Sequence, residues 1–372
     1  MQRFVRFFSA FLLPGFVFQN VIMAGGYGTG RELAEYFLAL GPKSAILALL
    51  VTGGIWSLLC ALTFEFARCF QAFDYHTFFK ALLGRFWWIF EVTYWAIVLL
   101  VLAIIGAASG SIVELTLGWP YEAGVLALMG LIALVVYFHS KAIALMLSYW
   151  SFFLLLIYIA FFVICYALFS KNITAVMDSA TLQPGWTHKG MQYGFYNLCF
   201  MPAVFFSLSA LKTRTQAISA GLFAGFIAVV PAFFFILAMC SAYPSIIDAT
   251  VPAAVLIHNI GSPLFGFVFY IGLFGTLVGT GVGMVHAINQ RVGKAYEVRQ
   301  KIMPRYVRSG IALLCFLVAF GISKFGLVAL IDKGYGTLTW IMIGCYVLPL
   351  AFIGIYKIAK QKRLSTKSAP IL

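Results

Sequence analysis

Ten stretches of this chain are each long and apolar enough to cross a lipid bilayer, at 8–40, 44–68, 87–116, 121–138, 142–169, 191–211, 216–241, 263–289, 308–328 and 335–356. A straight helical crossing of the hydrocarbon core needs about 20 residues. Together the ten hold 251 of 372 residues, which leaves no room for a soluble domain. Hydrocarbon offers the backbone no hydrogen-bond partner, so each run must satisfy its own amides, as a helix does. The fold expected is an all-α polytopic membrane protein, one membrane domain over 1–372. Composition agrees: 63% of residues are hydrophobic and 10% charged, against under half and about a quarter in a soluble domain. That excludes a cytosolic enzyme, a secreted disulfide scaffold and a disordered tail protein.

The excess of 25 Lys and Arg over 11 Asp and Glu would elsewhere raise the question of nucleic acid. Here the basic residues sit in short loops between apolar runs, where they set membrane orientation instead, and no nucleic acid partner is expected. With the amino terminus inside, 19 basic residues face the cytoplasm: Arg3, Arg6, Arg68, Lys80, Arg85, Lys141, Lys212, Arg214, six in 290–308 and five in the carboxyl-terminal tail. Lys43, Lys171, Lys189, Lys324 and Lys333 fall outside, and Arg31 lies within the membrane. Nineteen against five fits ten spans with both termini cytoplasmic. Arg3 and Arg6 before an apolar run loosely resemble a signal peptide, but no A-x-A cleavage site follows, so the run is expected to be the first helix. The seven cysteines form no C-x-x-C pair, and neither a disulfide framework nor a metal site is expected.

Residues 8–170 and 191–357 each hold five spans, in blocks of 163 and 167 residues. An odd number of spans per block inverts the second block, as in the inverted repeats of secondary transporters. The first helix of each block should then be interrupted at mid-membrane. In the first, Ala24-Gly25-Gly26-Tyr27-Gly28-Thr29-Gly30 puts four glycines in seven residues, each disfavouring a helix interior by about 1 kcal/mol. In the sixth, Pro202 clashes with the carbonyl of Leu198, with Asn197 beside the break; taken alone, that helix reads equally as a proline kink.

The segment Gly25-Gly26-Tyr27-Gly28-Thr29-Gly30-Arg31-Glu32-Leu33, followed by Ala34-Glu35-Tyr36-Phe37, resembles the first-helix signature of YkvI-type membrane proteins. These resemble in turn the amino acid–polyamine–organocation superfamily, whose architecture is the LeuT fold. The likeness runs over most of the chain through span count and the Tyr196-Asn197 region, and the first-helix motif is its specific part. It implies a 5+5 inverted repeat with broken first and sixth helices.

Two broken helices bring four half-helix ends to one point. Halves beginning near Gly28 and Ala203 offer positive dipole ends suited to a carboxylate, and halves ending near Met23 and Asn197 offer carbonyls suited to an ammonium group or cation. A site of both polarities fits a zwitterion. Gly25, Gly26, Tyr27, Gly28, Thr29, Tyr196, Asn197 and Phe200 are the substrate-binding candidates; for any one aromatic, simple packing is the competing role. Arg31 is a gate candidate or a counter-charge for an anionic cargo, with an i,i+4 pair to Glu35 as the plain alternative. The LeuT likeness further implies a sodium ion between the first break and the eighth helix, held by carbonyls of Val21 and Ala24 with Thr280 and Thr276; the same threonines also suit helix packing. For proton coupling the candidates are Glu65, Glu91, Glu114 and His286. Glu65 has Arg68 three residues on, and Glu91 and Glu114 lie near span ends. The 242–262 loop is either a lid or an ordinary surface loop.

No H-E-x-x-H or G-x-S-x-G arrangement supports an intramembrane enzyme. The function expected is secondary active transport of a small solute, an amino acid or similar zwitterionic or carboxylated metabolite, by alternating access in a bacterial inner membrane. A sensor with a transporter fold is the alternative. No cofactor is expected beyond Na+ or H+ as coupling ion, and the partners are a small-molecule substrate and the lipid bilayer, in a monomer or homodimer.

Overall fold

The computed structural model describes residues 7–138, 140–323 and 335–367. Arg3, Arg6, Lys324, Lys333 and residues 324–328 of the ninth stretch lie outside the described residues. Among those described, every regular element is helical. Six helices are long and apolar enough to cross a membrane: Pro42–Phe70, Tyr75–Leu117, Ser140–Ser179, Arg214–Ala242, Pro263–Val298 and Thr337–Gln361. Two shorter apolar helices, Phe8–Ile22 and Tyr121–Val135, correspond to the first and fourth stretches. Helices of this number, length and apolarity make the chain a multi-pass membrane protein.

Local signals set many of the boundaries. Asp74 caps the helix Tyr75–Leu83 by accepting from the Thr77 amide at 2.9 Å, and Thr213 with Gln216 forms a reciprocal capping box at the start of Arg214–Met239. Pro42 and Pro263 sit in the first turns of their helices, where a missing amide costs nothing. Several runs extend beyond the apolar stretches that announced them. The stretch expected to end at 169 continues to Ser179 with Phe169 out of helical conformation, and the one expected to end at 289 continues to Val298. The 290–308 loop is therefore helical in its first half. A bilayer limits the apolar part of a helix, but its backbone ladder can run on into water.

The first helix lies at the centre, packed against the seventh (Arg214–Met239), the fifth (Ser140–Ser179) and the eighth (Pro263–Val298). The second (Pro42–Phe70) packs along the seventh and against Trp186–Tyr196. The third (Trp87–Leu117) packs against the fourth and against Arg305–Ser323. This places two interrupted helices inside a shell of continuous ones.

The interruption in the first helix differs from the expectation. Four glycines clustered at 25–30 were expected to unwind together. Instead the helix Leu13–Ile22 stops at Met23 and Ala24, and Gly25–Thr29 forms a helical turn closed by the Gly28 amide on the Ala24 carbonyl at 2.9 Å. A second interruption falls at Gly30, whose φ of 85° lies in the left-handed region, and the helix resumes as Arg31–Tyr36. Three of the glycines serve close packing rather than unwinding. In the sixth helix, α-helical structure ends at Tyr196 and tighter 3₁₀ turns run over Asn197–Ala203 and Phe205–Ala210, with Pro202 inside the first. That break falls where the sequence placed it.

Candidate functional site

The two breaks face one another, and the group that joins them is Glu32. It stands in the first turn of Arg31–Tyr36 and is 1% exposed. Its Oε2 accepts from the Tyr196 hydroxyl at 2.6 Å and the Tyr193 hydroxyl at 3.0 Å, both on the sixth helix. Its side chain folds back over Gly26: a Cβ at position 26 would lie 2.2 Å from Glu32 Oε1 and 2.5 Å from its Cγ. Only glycine leaves that room. Tyr193 and Tyr196 interlock in turn with Tyr36, and Tyr193 with Phe37 and Trp56, with ring centroids 4.8–5.8 Å apart.

The substrate-binding candidates are all buried, and the structure gives each a local role. Tyr27 donates to the Ala228 carbonyl of the seventh helix at 3.1 Å, so its hydroxyl turns away from the sixth helix. Thr29 donates within its own turn, to Gly25 at 2.6 Å. The Gly28 carbonyl accepts from Tyr158 of the fifth helix at 2.9 Å. Asn197 donates to the Tyr193 carbonyl at 2.9 Å, leaving its Oδ1 buried without a donor. Phe200 is buried within the 3₁₀ turn. Gly25 and Gly26 form the first turn after the break.

Arg31 makes the i,i+4 pair read for it and contacts a distant segment as well. Its guanidinium pairs with Glu35 at 2.7 Å, and it also donates to the carbonyls of Ile247 at 2.7 Å and Ala249 at 3.2 Å. Those carbonyls belong to the 242–262 segment, which carries a 3₁₀ turn at Ser245–Asp248 and a helix at Pro252–Ile260. The segment folds back onto Gly30, with Pro252 against it, so it is a structured cover over one end of the broken helix. At the opposite end the helix Tyr75–Leu83 is tied to the eighth helix: Lys294 pairs with Asp74, and Arg291 with Glu91 at 3.1 Å, which also accepts from Tyr75. The Lys294 ammonium and the Thr77 groups hold the Asp74 carboxyl below the usual carboxylate range, overcoming its burial, which acts in the opposite direction.

At the ion-site candidates, Thr280 of the eighth helix donates to the Val21 carbonyl at 3.1 Å and reaches Asn20 O at 3.4 Å, so the first break and the eighth helix do meet. Thr276 donates to Gly272 in its own helix at 2.9 Å and the Ala24 carbonyl accepts the Gly28 amide, bonds that leave each oxygen a lone pair. Asn20 is a further oxygen-bearing side chain at this break. It is fully buried, its Oδ1 lies against Gly279, and both amide atoms are without a partner among the described residues. A hard cation needs oxygen ligands, and Asn20 Oδ1, Val21 O and Thr280 Oγ1 are three such oxygens in one locality.

The proton candidates are held elsewhere. Glu65 pairs with Arg68 at 2.8 Å, Glu91 with Arg291, and Glu114 is exposed. His286 bonds Ser140 at 2.9 Å and packs on Phe206. A cavity of about 750 Å³ lies between the third, fifth and eighth helices. Its lining, which includes Ile112, Met146, Trp150, Tyr270 and Phe274, contains no charged residue and does not touch the breaks.

Glu32, Tyr193 and Asn20 are the site residues that sequence reasoning passed over. The signal was present for Glu32, an acid inside an apolar run one turn beyond the glycines.

Two facing broken helices in a shell of continuous ones define the LeuT fold, and comparison with solved structures agrees. The chain superimposes on MhsT in complex with L-phenylalanine with a TM-score of 0.64 at 17% identity, covering 93% of this chain and 97% of that one. For a Na+-coupled sialic acid symporter the TM-score is 0.63 at 12% identity, covering 91% and 78%. For the Eremococcus coleocola manganese transporter it is 0.54 at 14% identity, covering 94% and 78%. In sequence, the chain is 24% identical over 355 residues to the uncharacterized membrane protein YkvI of Bacillus subtilis (strain 168), covering 94% of this chain and 95% of the relative. The likeness read from the first-helix motif is thus found across both chains. No family model matches. The solved relatives are transporters, not enzymes.

Proposed function

We propose that the chain is a secondary transporter that moves a small solute by alternating access. Its ten spans form two inverted repeats of five, over 8–170 and 191–357, in a bacterial inner membrane with both termini cytoplasmic. The observation that carries this reading is the pair of breaks facing each other around buried polar groups. Irregular backbone at membrane depth is tolerated only where it lines a cavity or a site, and helix ends meeting at the midplane are how inverted-repeat transporters hold their cargo.

Gly25, Gly26, Tyr196, Asn197 and Phe200 line the cargo site in this reading, with Tyr27, Gly28 and Thr29 as its supporting turn. Arg31 closes the outer end by latching the 245–249 segment. The Asp74–Lys294 and Glu91–Arg291 pairs close the cytoplasmic end. With both ends tied and Glu32 buried, the conformation is an occluded one. Opening requires one set of ties to release while the other holds.

Sodium is the coupling ion this geometry favours, bound by Val21 O, Thr280 Oγ1 and Asn20 Oδ1. The buried Asn20 amide is the supporting observation: an unpartnered polar group in the interior costs about 1–3 kcal/mol, and a cation would recover part of that cost.

The test is thermal unfolding of the purified protein in sodium and in potassium, alone and with amino acids, amines and small organic acids. A ligand at 100 times its Kd stabilises the folded state by about 2.7 kcal/mol. A sodium-specific shift that disappears in Thr280→Ala supports the ion site. A shift that is the same in both salts refutes sodium coupling. Uptake of the stabilising ligand into proteoliposomes then separates transport from sensing.

A further inference from the structure

We propose that Glu32 is the residue that recognises the cargo, and that the cargo is a small organic ammonium ion with no carboxylate of its own. The inference rests on the transporter reading and narrows it from any small solute to one chemical class.

Charge bookkeeping sets Glu32 apart from every other described acid. Glu35, Glu65, Asp74 and Glu91 each pair with Arg or Lys. Glu114, Glu122, Asp178, Asp248 and Glu297 are exposed. Glu32 is buried, and no Lys, Arg or His among the described residues is within ion-pair distance of it. Lys189 lies over the Tyr36 ring, 5.3 Å from its centroid, without pairing with Glu32. An isolated carboxylate at membrane depth is expensive and marks a functional site.

Its position excludes a competing anion. Glu32 covers Gly26, in the first turn of the half-helix that follows the break, two residues from Gly28, near which a carboxylate was expected. A second carboxylate placed there would meet a like charge at contact distance, in an environment that screens it poorly.

Around Glu32 the hydroxyl donors are already committed, and the one buried, unpartnered side-chain amide nitrogen among the described residues, Asn20 Nδ2, belongs to the ion-site residue instead. The hydroxyls of Tyr27, Thr29, Tyr158, Tyr193 and Tyr196 each already donate to a named oxygen. Asn197 Oδ1, in the break of the sixth helix, is buried and receives no hydrogen bond. A carboxylate and a free amide oxygen ask for donors, and an ammonium group supplies three and no acceptor. The aromatic residues around Glu32 add ring faces, which attract a cation most strongly when it is desolvated.

The experiment uses the full chain, purified and reconstituted in liposomes, with two readouts: thermal unfolding, and currents on a solid-supported membrane. The probes are ethanolamine, putrescine and choline, set against glycine, alanine and phenylalanine. At least one amine is expected to raise the melting temperature and to evoke an inward current, while the amino acids do neither. Glu32→Gln should weaken amine binding at least about 30-fold, and Glu32→Asp should recover part of it. The size-exclusion profile and the ligand-free melting temperature of both variants report whether they are folded. If an amino acid binds instead and Glu32→Gln retains it, the proposal is overturned while the transporter reading stands. A carboxyl that only carries protons would leave amines silent and make Glu32→Gln abolish a pH-driven current; that also overturns it. Amine binding lost in Glu32→Gln but with no current or uptake from any probe would uphold Glu32 recognition and sink the transporter reading.

Discussion

Replacing Arg31 by Ala should unfasten the 245–249 segment, and the structure sets the size of the effect. The Arg31 side chain is 12% exposed, and its two bonds to the carbonyls of Ile247 and Ala249 cross from the first helix to the covering segment. A charged donor contributes about 1.5–3 kcal/mol per hydrogen bond when shielded. Ile247 is half-buried and water can satisfy the freed carbonyls, so the low end applies, and the two bonds together contribute about 2–3 kcal/mol. The pair with Glu35 lies within one helix, and Glu35 is 35% exposed; exposed i,i+4 pairs contribute only about 0.3–0.5 kcal/mol and this one does not hold the cover. At 1.4 kcal/mol per factor of ten, Arg31→Ala should raise opening of the segment by about 30- to 150-fold. Glu35→Gln should change it by about twofold. Arg31→Lys should fall between, because an ammonium keeps the charge but loses the planar fork. Amide hydrogen exchange of peptides covering 243–260, read by mass spectrometry, reports the opening directly. If Arg31→Ala leaves exchange unchanged, or if Glu35→Gln matches it, Arg31 serves its own helix and the latch is refuted.

Other outcomes test the remaining contacts. Gly26→Ala places a methyl where Glu32 now lies, so it should break the Tyr193 and Tyr196 hydrogen bonds, lower the melting temperature by a few degrees, and reduce cargo binding as far as Glu32→Gln does. Unaltered binding would mean that Glu32 acts from another position. Asn20→Leu removes a buried amide with no protein partner; in potassium it should leave the melting temperature unchanged or raise it, and in sodium it should erase the sodium increment. A loss of stability equal in both salts would make Asn20 structural. Asp74, held below the usual carboxylate range, contributes stability that is complete above its unfolded pKa of about 3.9 and is lost as pH falls through the lower folded value. The melting difference between wild type and Asp74→Asn should therefore be constant from pH 7 to 5 and shrink below about 4; a difference that persists at the lowest pH would sever it from the Lys294 pair.

Much of the architecture was legible because bilayer physics acts locally. An apolar run of about 20 residues has few options in lipid, so the second, third, fifth, seventh and eighth helices fall where hydropathy put them. Pro202 marked its break for a similarly local reason, a lost amide and a steric clash. The first break was harder. Glycine content predicts where a helix is weak, but a helical turn over Gly25–Thr29 survives because Gly26 is needed to seat Glu32 and Gly30 to turn under Pro252. Those are demands made by partners far along the chain.

The chemistry of the site divides the same way. Sequence alone determined that this is a helical membrane protein, that its first helix is weak at the glycine cluster and its sixth bent or broken at Pro202, and that Arg31 is a residue to watch; Thr280 came from the LeuT likeness. The sequence also contained Glu32, without any means of telling that acid from Glu35 three residues on. Only tertiary structure decided between them. Glu35 meets Arg31 near the covering segment, whereas Glu32 meets two tyrosines more than 160 positions away and no cation. Whether a buried charge is neutralised depends on what the fold brings within a few ångströms, and that is a property of packing rather than of any stretch of residues.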